Sequence, residues 1–177
     1  MRKSFLLICN HISYIDVLLM GVALGRRRIR FMAKEELFRI RFLRGWMLAV
    51  GAFPVIREGA DAKALGSARK FLEDGQIVCL FPQGTTLHDP ETVEKISPGV
   101  GMLSLRCKPR PEVLPAGLAI EWRRKELLMP KKVVSNFGWV LDPDEFGRDI
   151  ERFNDQALIA LQDALAPAVR RLHSLMA

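Results

Sequence analysis

Hydrophobic residues in this chain occur as short continuous runs, separated by stretches in which they recur at helical spacing. The runs SFLLIC (residues 4–9) and IVCLF (residues 77–81) have the length and composition of buried strands. Three weaker patterns predict further strands, one of them interrupted by Pro115 because proline cannot donate to a strand ladder. These patterns cover residues 51–56, where a turn is the alternative, residues 112–120 and residues 132–140.

The intervening segments carry apolar residues three and four positions apart, which is the pattern of a helix with one buried face. Gly51 and Gly75 follow two of these segments, as helix-terminating glycines do, and Pro98 with Gly99 opens another. Residues 86–97 are polar and are predicted to form a loop. The predicted helices cover residues 14–24, 34–50, 61–74, 98–107 and 150–175.

Strands that alternate with helices predict an α/β fold, with a mixed and mainly parallel central sheet flanked by helices. A length of 177 residues, of which 49% are hydrophobic, suits a single domain over residues 1–177. The charged residues 123–132 are the only candidate linker. In folds of this class, ligands bind in the loops at the carboxyl ends of strands. The polar segments that follow the two buried strands begin at Asn10 and at Pro82. They are therefore the first candidates for a site.

Basic residues outnumber acidic ones. The chain has 27 Lys and Arg against 20 Asp and Glu, a formal net charge of +7. Such a balance favours anionic partners such as phosphate groups, nucleic acid or acidic lipid. The longest apolar run after Asp16, VLLMGVAL, is far shorter than the roughly 20 residues that cross a bilayer, and the chain does not begin like a signal peptide. The pattern predicts a protein that is soluble or peripheral to a membrane.

The three cysteines, Cys9, Cys79 and Cys107, are an odd number, and the first two lie inside apolar runs. This predicts buried, reduced thiols in a cytosolic protein rather than a disulfide framework. Because apolar burial raises the pKa of a thiol, a cysteine nucleophile is not expected. The cysteine spacing gives no zinc site, and neither a metal nor another cofactor is expected.

His11 and Asp16 are five positions apart, where the first predicted strand gives way to the first helix. A carboxylate bound to one imidazole nitrogen fixes the tautomer, leaving the other nitrogen to take a proton from a hydroxyl. The pair would then be a base whose nucleophile is supplied by the substrate. In the structural alternative, His11 caps the helix and Asp16 is a solvated acid of its first turn. Ser13 is a further candidate cap.

Four sequence blocks resemble those of a known family, in the same order. NHISYID (residues 10–16) resembles the NHxSxxD signature of the glycerolipid acyltransferase superfamily, whose best-known members are the 1-acylglycerol-3-phosphate acyltransferases. The second, third and fourth blocks are matched by GAFPVIR (51–57), FPQGTT (81–86) and VLPAGLAI (113–120), and an intervening stretch by FMAKEEL (31–37). The blocks span residues 10–120.

The resemblance implies an acyltransferase in which His11 is the general base and Asp16 orients it. The donor would be an acyl-CoA or acyl-carrier-protein thioester, whose carbonyl is attacked directly by a hydroxyl of a lysophosphatidic acid-like lipid. Lys34 and Arg57 would bind the acceptor's phosphate, although a surface ion pair is the alternative for each. Further acceptor contacts are implied for Gln83, Gly84 and Thr85, and support of the site for Asn10, Ser13, Pro82 and Pro115.

The third block departs from the family, which usually reads FPEGTR. Gln83 replaces the glutamate and Thr86 replaces the arginine. Threonine cannot bind phosphate through two parallel hydrogen bonds as arginine does, and that loss is worth a few kcal/mol. Either another cation substitutes, or the acceptor is a glycolipid or other alcohol without phosphate. A catalytically altered lipid-binding member of the fold and a thioesterase are further alternatives, and the intact His11 and Asp16 pair favours an enzyme.

Many family members carry hydrophobic, membrane-associating helices before the first block, whereas only nine residues precede Asn10 here, so the chain is either a naturally short, peripheral member or an incomplete one. We therefore expect a cytoplasmic protein that is peripheral to the inner face of the membrane and is attached by the fold itself. A basic and aromatic segment suits an anionic bilayer surface, although its apolar face can equally lie in the core. The segment contains Arg26, Arg27, Arg28, Arg30, Lys34, Arg39, Arg41 and Arg44 with Phe38, Ile40, Phe42, Leu43 and Trp46.

The remaining features have structural interpretations. Nucleic-acid binding is a remote alternative for a basic chain, but no helix-turn-helix, zinc or RNA-binding motif is recognisable, so nucleic acid is not an expected partner. His88 is predicted to lie in a solvated turn, and His173 near the end of a helix whose dipole favours positive charge. Trp122 and Trp139 are predicted to be core residues.

Overall fold

The structure, a computed structural model, describes residues 4–25, 29–55, 61–84, 91–123 and 126–176. Within these ranges the strands are β1 (Phe5–Cys9), β2 (Ile29–Lys34), β3 (Ala52–Val55), β4 (Ile77–Leu80), β5 (Glu112–Arg123) and β6 (Glu126–Phe137). The helices are α1 (Asp16–Ala23), α2 (Glu35–Arg39), α3 (Arg41–Ala49), α4 (Asp61–Glu73), α5 (Gly99–Arg106) and α6 (Ile150–Met176), with a short 3-10 helix at Pro143–Phe146.

The strands form one sheet in the order β3-β2-β4-β1-β5-β6. Neighbours among β1 to β5 are parallel, and β5 pairs with β6 antiparallel. The predicted mixed, mainly parallel sheet flanked by helices is therefore confirmed. Because β1 and β4 are parallel neighbours, the segments that follow them, beginning at Asn10 and Phe81, leave the sheet at the same edge.

The side chains of β1 alternate between the two faces of the sheet and so divide the core in two. Leu6 and Ile8 belong to the cluster that α4, α5 and α6 complete. Leu7 and Cys9 belong to a second cluster, to which α1 and α3 contribute. One face therefore carries three helices, including the longest, while the other is covered by the shorter helices α1, α2 and α3, of eight, five and nine residues.

The C-terminal helix α6 rests directly on β5. A Cβ added to Gly117 would lie 2.3 Å from the Cα of Leu165 and 2.4 Å from the carbonyl oxygen of Ala164, so only glycine allows this approach. The helix confirms the prediction for residues 150–175. It buries one stripe along its length, formed by Phe153, Ala157, Ala160, Leu161, Ala164, Leu165, Ala168 and Leu172.

The prediction of one helix over residues 34–50 is wrong. The chain first forms strand β2, which was not predicted although Ile29 and Phe31 alternate with less buried residues. The helical segment that follows is then divided into α2 and α3, because Ile40 adopts an extended conformation with φ −81° and ψ 110°. The helical spacing of apolar residues continues across this break, so the sequence pattern did not reveal it.

Two predictions for the second half of the chain are also corrected. Pro115 does not interrupt its strand, because the ladder between β5 and β6 begins only at the next residue, Ala116. Residues 123–132, the candidate linker, instead belong largely to the β5–β6 hairpin. Trp122 is partly buried in the core, as predicted, whereas Trp139 is 44% exposed and is not a core residue.

None of the helices formed by the described residues is long and apolar enough to cross a membrane.

Candidate active site

His11 and Asp16 are joined by a hydrogen bond at the carboxyl end of β1. The distance between His11 Nδ1 and Asp16 Oδ2 is 2.8 Å. The Asp16 side chain is fully buried, whereas the His11 side chain is 17% exposed. No hydrogen bond joins His11 Nε2 to any other described residue, and partial exposure leaves the ring open to a substrate. The two side chains therefore have the geometry of a base and the carboxylate that orients it.

Asp16 holds the turn between β1 and α1 as well as the imidazole. Its Oδ2 atom accepts hydrogen bonds from the backbone N–H groups of Ile12, at 2.7 Å, and Ser13, at 2.8 Å. The buried carboxylate thus folds the chain back on itself, so the alternative of a solvated first-turn acid is wrong. Ile15, rather than His11 or Ser13, occupies the helix N-cap, and no side chain caps it. The Ser13 hydroxyl accepts a long hydrogen bond of 3.4 Å from Ile15 N–H.

Asn10 fixes the start of this turn to the sheet. Its side-chain amide donates to the carbonyl oxygen of Leu118 at 2.8 Å, and its carbonyl oxygen accepts from Leu118 N–H at 2.7 Å. Asn10 is fully buried, and the β1–β5 ladder ends at the preceding residue, Cys9. The side chain continues that ladder where the main chain leaves it. Asn10 therefore holds the residue adjacent to His11 in place.

The loop after β4 borders the imidazole. The ring of Phe81 stacks on His11 with a centroid distance of 4.3 Å and an interplanar angle of 23°. Pro82 is buried, and Gly84 has a φ of +75°, which favours glycine. Both polar atoms of the Gln83 amide are buried, and neither has a hydrogen-bond partner among the described residues. A buried, unpartnered amide in the loop whose first residue stacks on the imidazole is a candidate substrate contact.

The contact between Phe81 and His11 was not predicted from the sequence. A signal for this contact was present in the sequence. Phe81 directly follows one buried strand, and His11 follows another with only Asn10 between them. If those strands are neighbours, the two rings meet at one edge. Only the strand order, which places β4 beside β1, establishes that the two strands are neighbours.

Several residues predicted to bind the acceptor lie outside the described part of the structure. Arg57 and Thr85 fall there, together with Thr86 and His88. The backbone of Lys34 ends β2, but its side chain is likewise outside the description. Their roles in binding stay predictions. Pro115 pairs with Ile8 in the β1–β5 ladder, two positions before Asn10, and so supports the strand that carries the site.

The three cysteines are free and buried, as predicted. Burial raises the pKa of the Cys9 and Cys79 thiols far above the ordinary value, with a further contribution from the negative charge of Asp16. Burial, followed by the nearby Glu73 carboxylate, raises the pKa of Cys107 to about 11. Thiols that stay protonated at neutral pH are poor nucleophiles. His173 lies on the surface, 2.9 Å from Glu91.

Neither of two clefts that open among the described residues is lined by His11 or Asp16. A cleft of about 490 Å³ lies between α2, α3, the end of β3 and α4, and is lined by Glu35, Arg39 and Arg44 among others. A second, of about 350 Å³, is apolar and lies between α1 and β2. Among the described residues, no group of His, Cys, Asp and Glu side chains could hold a metal ion.

Comparison with known proteins gives concordant matches. The family model described as acyltransferase matches residues 1–119. The chain is 27% identical over 172 residues to the 1-acyl-sn-glycerol-3-phosphate acyltransferase of Bacillus subtilis (strain 168), covering 97% of this chain and 82% of that protein. It is 26% identical over 171 residues to the enzyme of the same name from Streptococcus pneumoniae (strain ATCC BAA-255 / R6), covering 96% of this chain and 61% of that protein.

A solved structure has a similar fold. The crystal structure of the 1-acyl-sn-glycerophosphate (LPA) acyltransferase PlsC from Thermotoga maritima matches with a TM-score of 0.61 and 23% sequence identity. The match covers 92% of this chain and 68% of that one. The central sheet and its helices thus share the fold of that structure.

Proposed function

The chain belongs to the glycerolipid acyltransferase superfamily, and from this membership and the geometry of the site we propose that it acylates lysophosphatidic acid in phospholipid biosynthesis. The acyl donor is acyl-CoA or an acylated carrier protein, and the acceptor is the free hydroxyl of the lipid. The observation that carries the proposal is the hydrogen bond between His11 and the buried Asp16, at a strand end where the ring is partly exposed. The names of the two relatives support the choice of acceptor.

The proposed reaction uses the two nitrogens of His11 differently. With Nδ1–H donating to Asp16, Nε2 carries the lone pair and removes the proton from the acceptor hydroxyl. The hydroxyl oxygen attacks the thioester carbonyl, forming a C–O bond and a tetrahedral oxyanion. As the oxyanion collapses, the C–S bond breaks, and the leaving thiolate takes the proton from the imidazolium. No residue of the protein is acylated, which agrees with the unreactive character of the three cysteine thiols.

Asp16 contributes to this reaction by its charge and by its position. Its carboxylate stabilises the imidazolium that forms when Nε2 takes the proton. The two backbone N–H groups that donate hydrogen bonds to Oδ2 hold this atom in place before the substrate arrives. Stacking against Phe81 restricts rotation of the ring. The base is thus oriented in advance, so little reorganisation is needed during proton transfer.

The acceptor's phosphate is assigned to the basic residues that follow β2 and β3. Lys34 ends β2, Arg57 comes two residues after the end of β3 in the sequence, and both strands end at the same edge of the sheet as β1. The Gln83 amide, with Gly84 and Thr85 beside it, would contact the acceptor closer to the base. The enzyme would work without a cofactor, peripheral to the cytoplasmic face of the membrane, where its lipid acceptor resides.

A non-phosphate acceptor is the second candidate, favoured by Gln83 and Thr86 at positions where the family usually has glutamate and arginine. A substrate screen distinguishes the two. Acyl-CoA and acyl-carrier-protein donors are each paired with lysophosphatidic acid, glycerol phosphate, a lysophospholipid or a glycolipid alcohol, and products are identified by mass spectrometry. We expect phosphatidic acid from lysophosphatidic acid, and a loss of about 10² to 10⁴ in rate for His11→Ala.

His173→Ala is the matched control, because that histidine is exposed and pairs with Glu91 at the surface. Free fatty acid as the main product in every combination would instead identify a thioesterase. Transfer to the glycolipid alone would establish the second candidate. An unchanged rate in His11→Ala would contradict the mechanism.

A further inference from the structure

The cleft of about 490 Å³ lies at the same edge of the sheet as the proposed base. It is bordered by Pro54 and Val55 at the end of β3. The pairing of β3 with β2, of β2 with β4 and of β4 with β1 places Val55 at the level of Asn10, the residue before His11. Three strand spacings, about 14 Å, separate β3 from β1 along this edge.

Two arginines line the cleft because the helical segment breaks at Ile40. Arg39 is the last residue of α2, and Arg44 lies in α3. On one continuous helix, side chains five positions apart would project about 140° apart and would not share a cleft. The extended conformation of Ile40 changes the direction of the chain, so both guanidinium groups border the same space.

The charges around the cleft favour an anionic ligand. Arg44 is exposed and forms no ion pair with another described residue. Arg39 forms an ion pair of 3.2 Å with Glu35, which is the only acidic residue of the described lining. Because the Arg39 side chain is 73% exposed, this pair contributes little to stability, and a phosphate group can replace the carboxylate as its partner.

The remainder of the lining is largely apolar and open to a ligand. Leu48 is 54% exposed, Pro54 is exposed, and Phe38 is half-buried. Small-molecule sites commonly have volumes of about 300 to 1,000 Å³, with apolar walls and a few polar groups that fix the orientation of the ligand. The cleft therefore suits a molecule that joins a flat apolar ring to phosphate groups.

We propose that this cleft binds the nucleotide of acyl-CoA, with its phosphates at Arg39 and Arg44 and its adenine ring against Leu48 and Phe38. The pantetheine arm has the chain length of about four extended residues and so spans roughly 15 Å. That length matches the distance from the cleft to the strand that carries His11. The inference rests on the proposed function, for which it selects CoA over the carrier protein as the donor.

Two other anionic partners fit the cleft less well. The phosphate of lysophosphatidic acid is only a few bonds from the hydroxyl that reacts, so it cannot lie three strands away from the base. A carrier protein presents a folded surface, and specific protein contacts bury about 1,200 Å² or more. Such a surface cannot enter a concave site of this size.

Isothermal titration calorimetry with adenosine 3′,5′-bisphosphate tests the site without catalysis. We expect Arg39→Gln with Arg44→Gln to weaken binding about 100-fold, because each charge-assisted hydrogen bond contributes about tenfold. The matched control is Arg170→Gln with Arg171→Gln, which removes the same charge from exposed positions of α6 and should leave binding unchanged. Equal losses in the test and control pairs would overturn the proposal.

A second pair of variants changes the cleft from its other side without removing an arginine. Ser67 is exposed on α4 and lines the cleft, whereas its neighbour Gly66 is exposed but lies outside the lining. Ser67→Glu should weaken binding of the same nucleotide about tenfold, because the new carboxylate faces the phosphates. Gly66→Glu adds the same charge one position away and should change binding by about twofold at most. The reverse order of effects would contradict the site.

Truncation of the donor tests whether the site acts in the reaction. Palmitoyl-CoA and palmitoyl-pantetheine carry the same thioester, and each is paired with lysophosphatidic acid. The wild-type kcat/KM should favour palmitoyl-CoA about 100-fold, and Arg39→Gln with Arg44→Gln should remove most of that preference. Equal kcat/KM values for the two donors in the wild type would refute a nucleotide site.

The two assays separate this inference from the proposed function. Nucleotide binding as expected, without acyl transfer from any donor to any acceptor, would contradict the proposed function alone. Transfer from the acylated carrier protein only, without measurable binding of adenosine 3′,5′-bisphosphate, would overturn the nucleotide site and leave the acyltransferase activity established.

Discussion

The side chain of Asn10 pairs with the backbone of Leu118 as a strand would, accepting from its N–H at 2.7 Å and donating to its carbonyl at 2.8 Å. The backbone ladder between β1 and β5 ends at the pair of Cys9 and Ala116, one position before Asn10 and two before Leu118. The chain can therefore turn away from the sheet toward His11 without leaving the buried polar groups of Leu118 unpaired.

Replacement of Asn10 by alanine should affect both stability and rate. It leaves two buried backbone groups without partners, which costs about 2 to 5 kcal/mol in the free energy of unfolding. The kcat should also fall, because the residue that anchors the turn to the sheet no longer does so. Urea unfolding and steady-state kinetics, measured on the same preparation below the unfolding transition, report the two effects separately.

Asn136→Ala is a suitable control for this variant. The Asn136 side chain donates one hydrogen bond, of 3.1 Å, to the carbonyl oxygen of Ala164 and lies away from the base. Its loss should cost about 1 kcal/mol and leave kcat unchanged. If Asn10→Ala lowers stability but keeps the wild-type kcat, Asn10 supports the fold without positioning the base.

Asp16→Asn separates the charge of the carboxylate from its geometry. Asp16 Oδ2 accepts three hydrogen bonds, while Oδ1 has no partner among the described residues. An asparagine can therefore place its carbonyl oxygen at the Oδ2 position and keep all three bonds. Only the charge that stabilises the imidazolium is lost, for which we expect a decrease of about 10- to 100-fold in kcat with little change in acceptor KM.

Asp16→Ala should be slower still and less stable, because it also releases the imidazole and leaves the N–H groups of Ile12 and Ser13 without their acceptor. The expected order of kcat is wild type, then Asp16→Asn, then Asp16→Ala. Equal rates in the two variants would show that the charge, and not the three hydrogen bonds, accounts for the whole contribution of Asp16.

Gln83→Met should stabilise the protein while weakening acceptor binding. The buried Gln83 amide has no partner among the described residues, so an apolar side chain of similar shape removes a desolvation cost of about 1 to 3 kcal/mol. The same change removes a hydrogen bond to the acceptor and should raise its KM by about tenfold. Thermal unfolding and initial-rate kinetics test the two effects, and a lower melting temperature with unchanged KM would contradict the assignment.

The site was predictable where its signal is local, and not where it depends on strand order. His11 and Asp16 lie in one turn, and their spacing with the surrounding motif sufficed to pair them. The partners of Asn10 and His11 on other strands, Leu118 and Phe81, required the arrangement of β4, β1 and β5, which hydrophobic periodicity does not encode. The same limit applies to β2. Its alternation of buried and less buried residues did not lead to a predicted strand, because apolar residues at helical spacing follow at once.

The cysteines give a pH-dependent prediction. Their thiols have an ordinary pKa of about 8.5 when unfolded, whereas burial raises the pKa of Cys107 to about 11 and those of Cys9 and Cys79 further. Above the ordinary value the unfolded chain loses protons that the folded chain retains, so stability falls as pH rises. The expected slope is about 1.4 kcal/mol per pH unit for each thiol once its unfolded form is ionised.

Unfolding free energies measured from pH 8 to pH 10 should show this decline, and a variant with all three cysteines replaced by alanine should show less of it. At pH 8 a thiol reagent should react with three groups in the unfolded protein and with none in the native one. Rapid labelling of the folded chain would contradict the burial of these thiols.

The two contacts that build the site differ greatly in sequence separation, because His11 and Asp16 are five positions apart whereas Asn10 and Leu118 are 108 positions apart. Closing the shorter loop restricts few residues, so its conformational entropy cost is small and does not depend on the length of the chain elsewhere. Insertions and deletions in the segments between β2 and β5 can therefore reshape the surroundings of the acceptor while the catalytic turn stays intact. A fold built in this way can diversify in the lipids that it accepts without having to evolve its proton-transfer chemistry again.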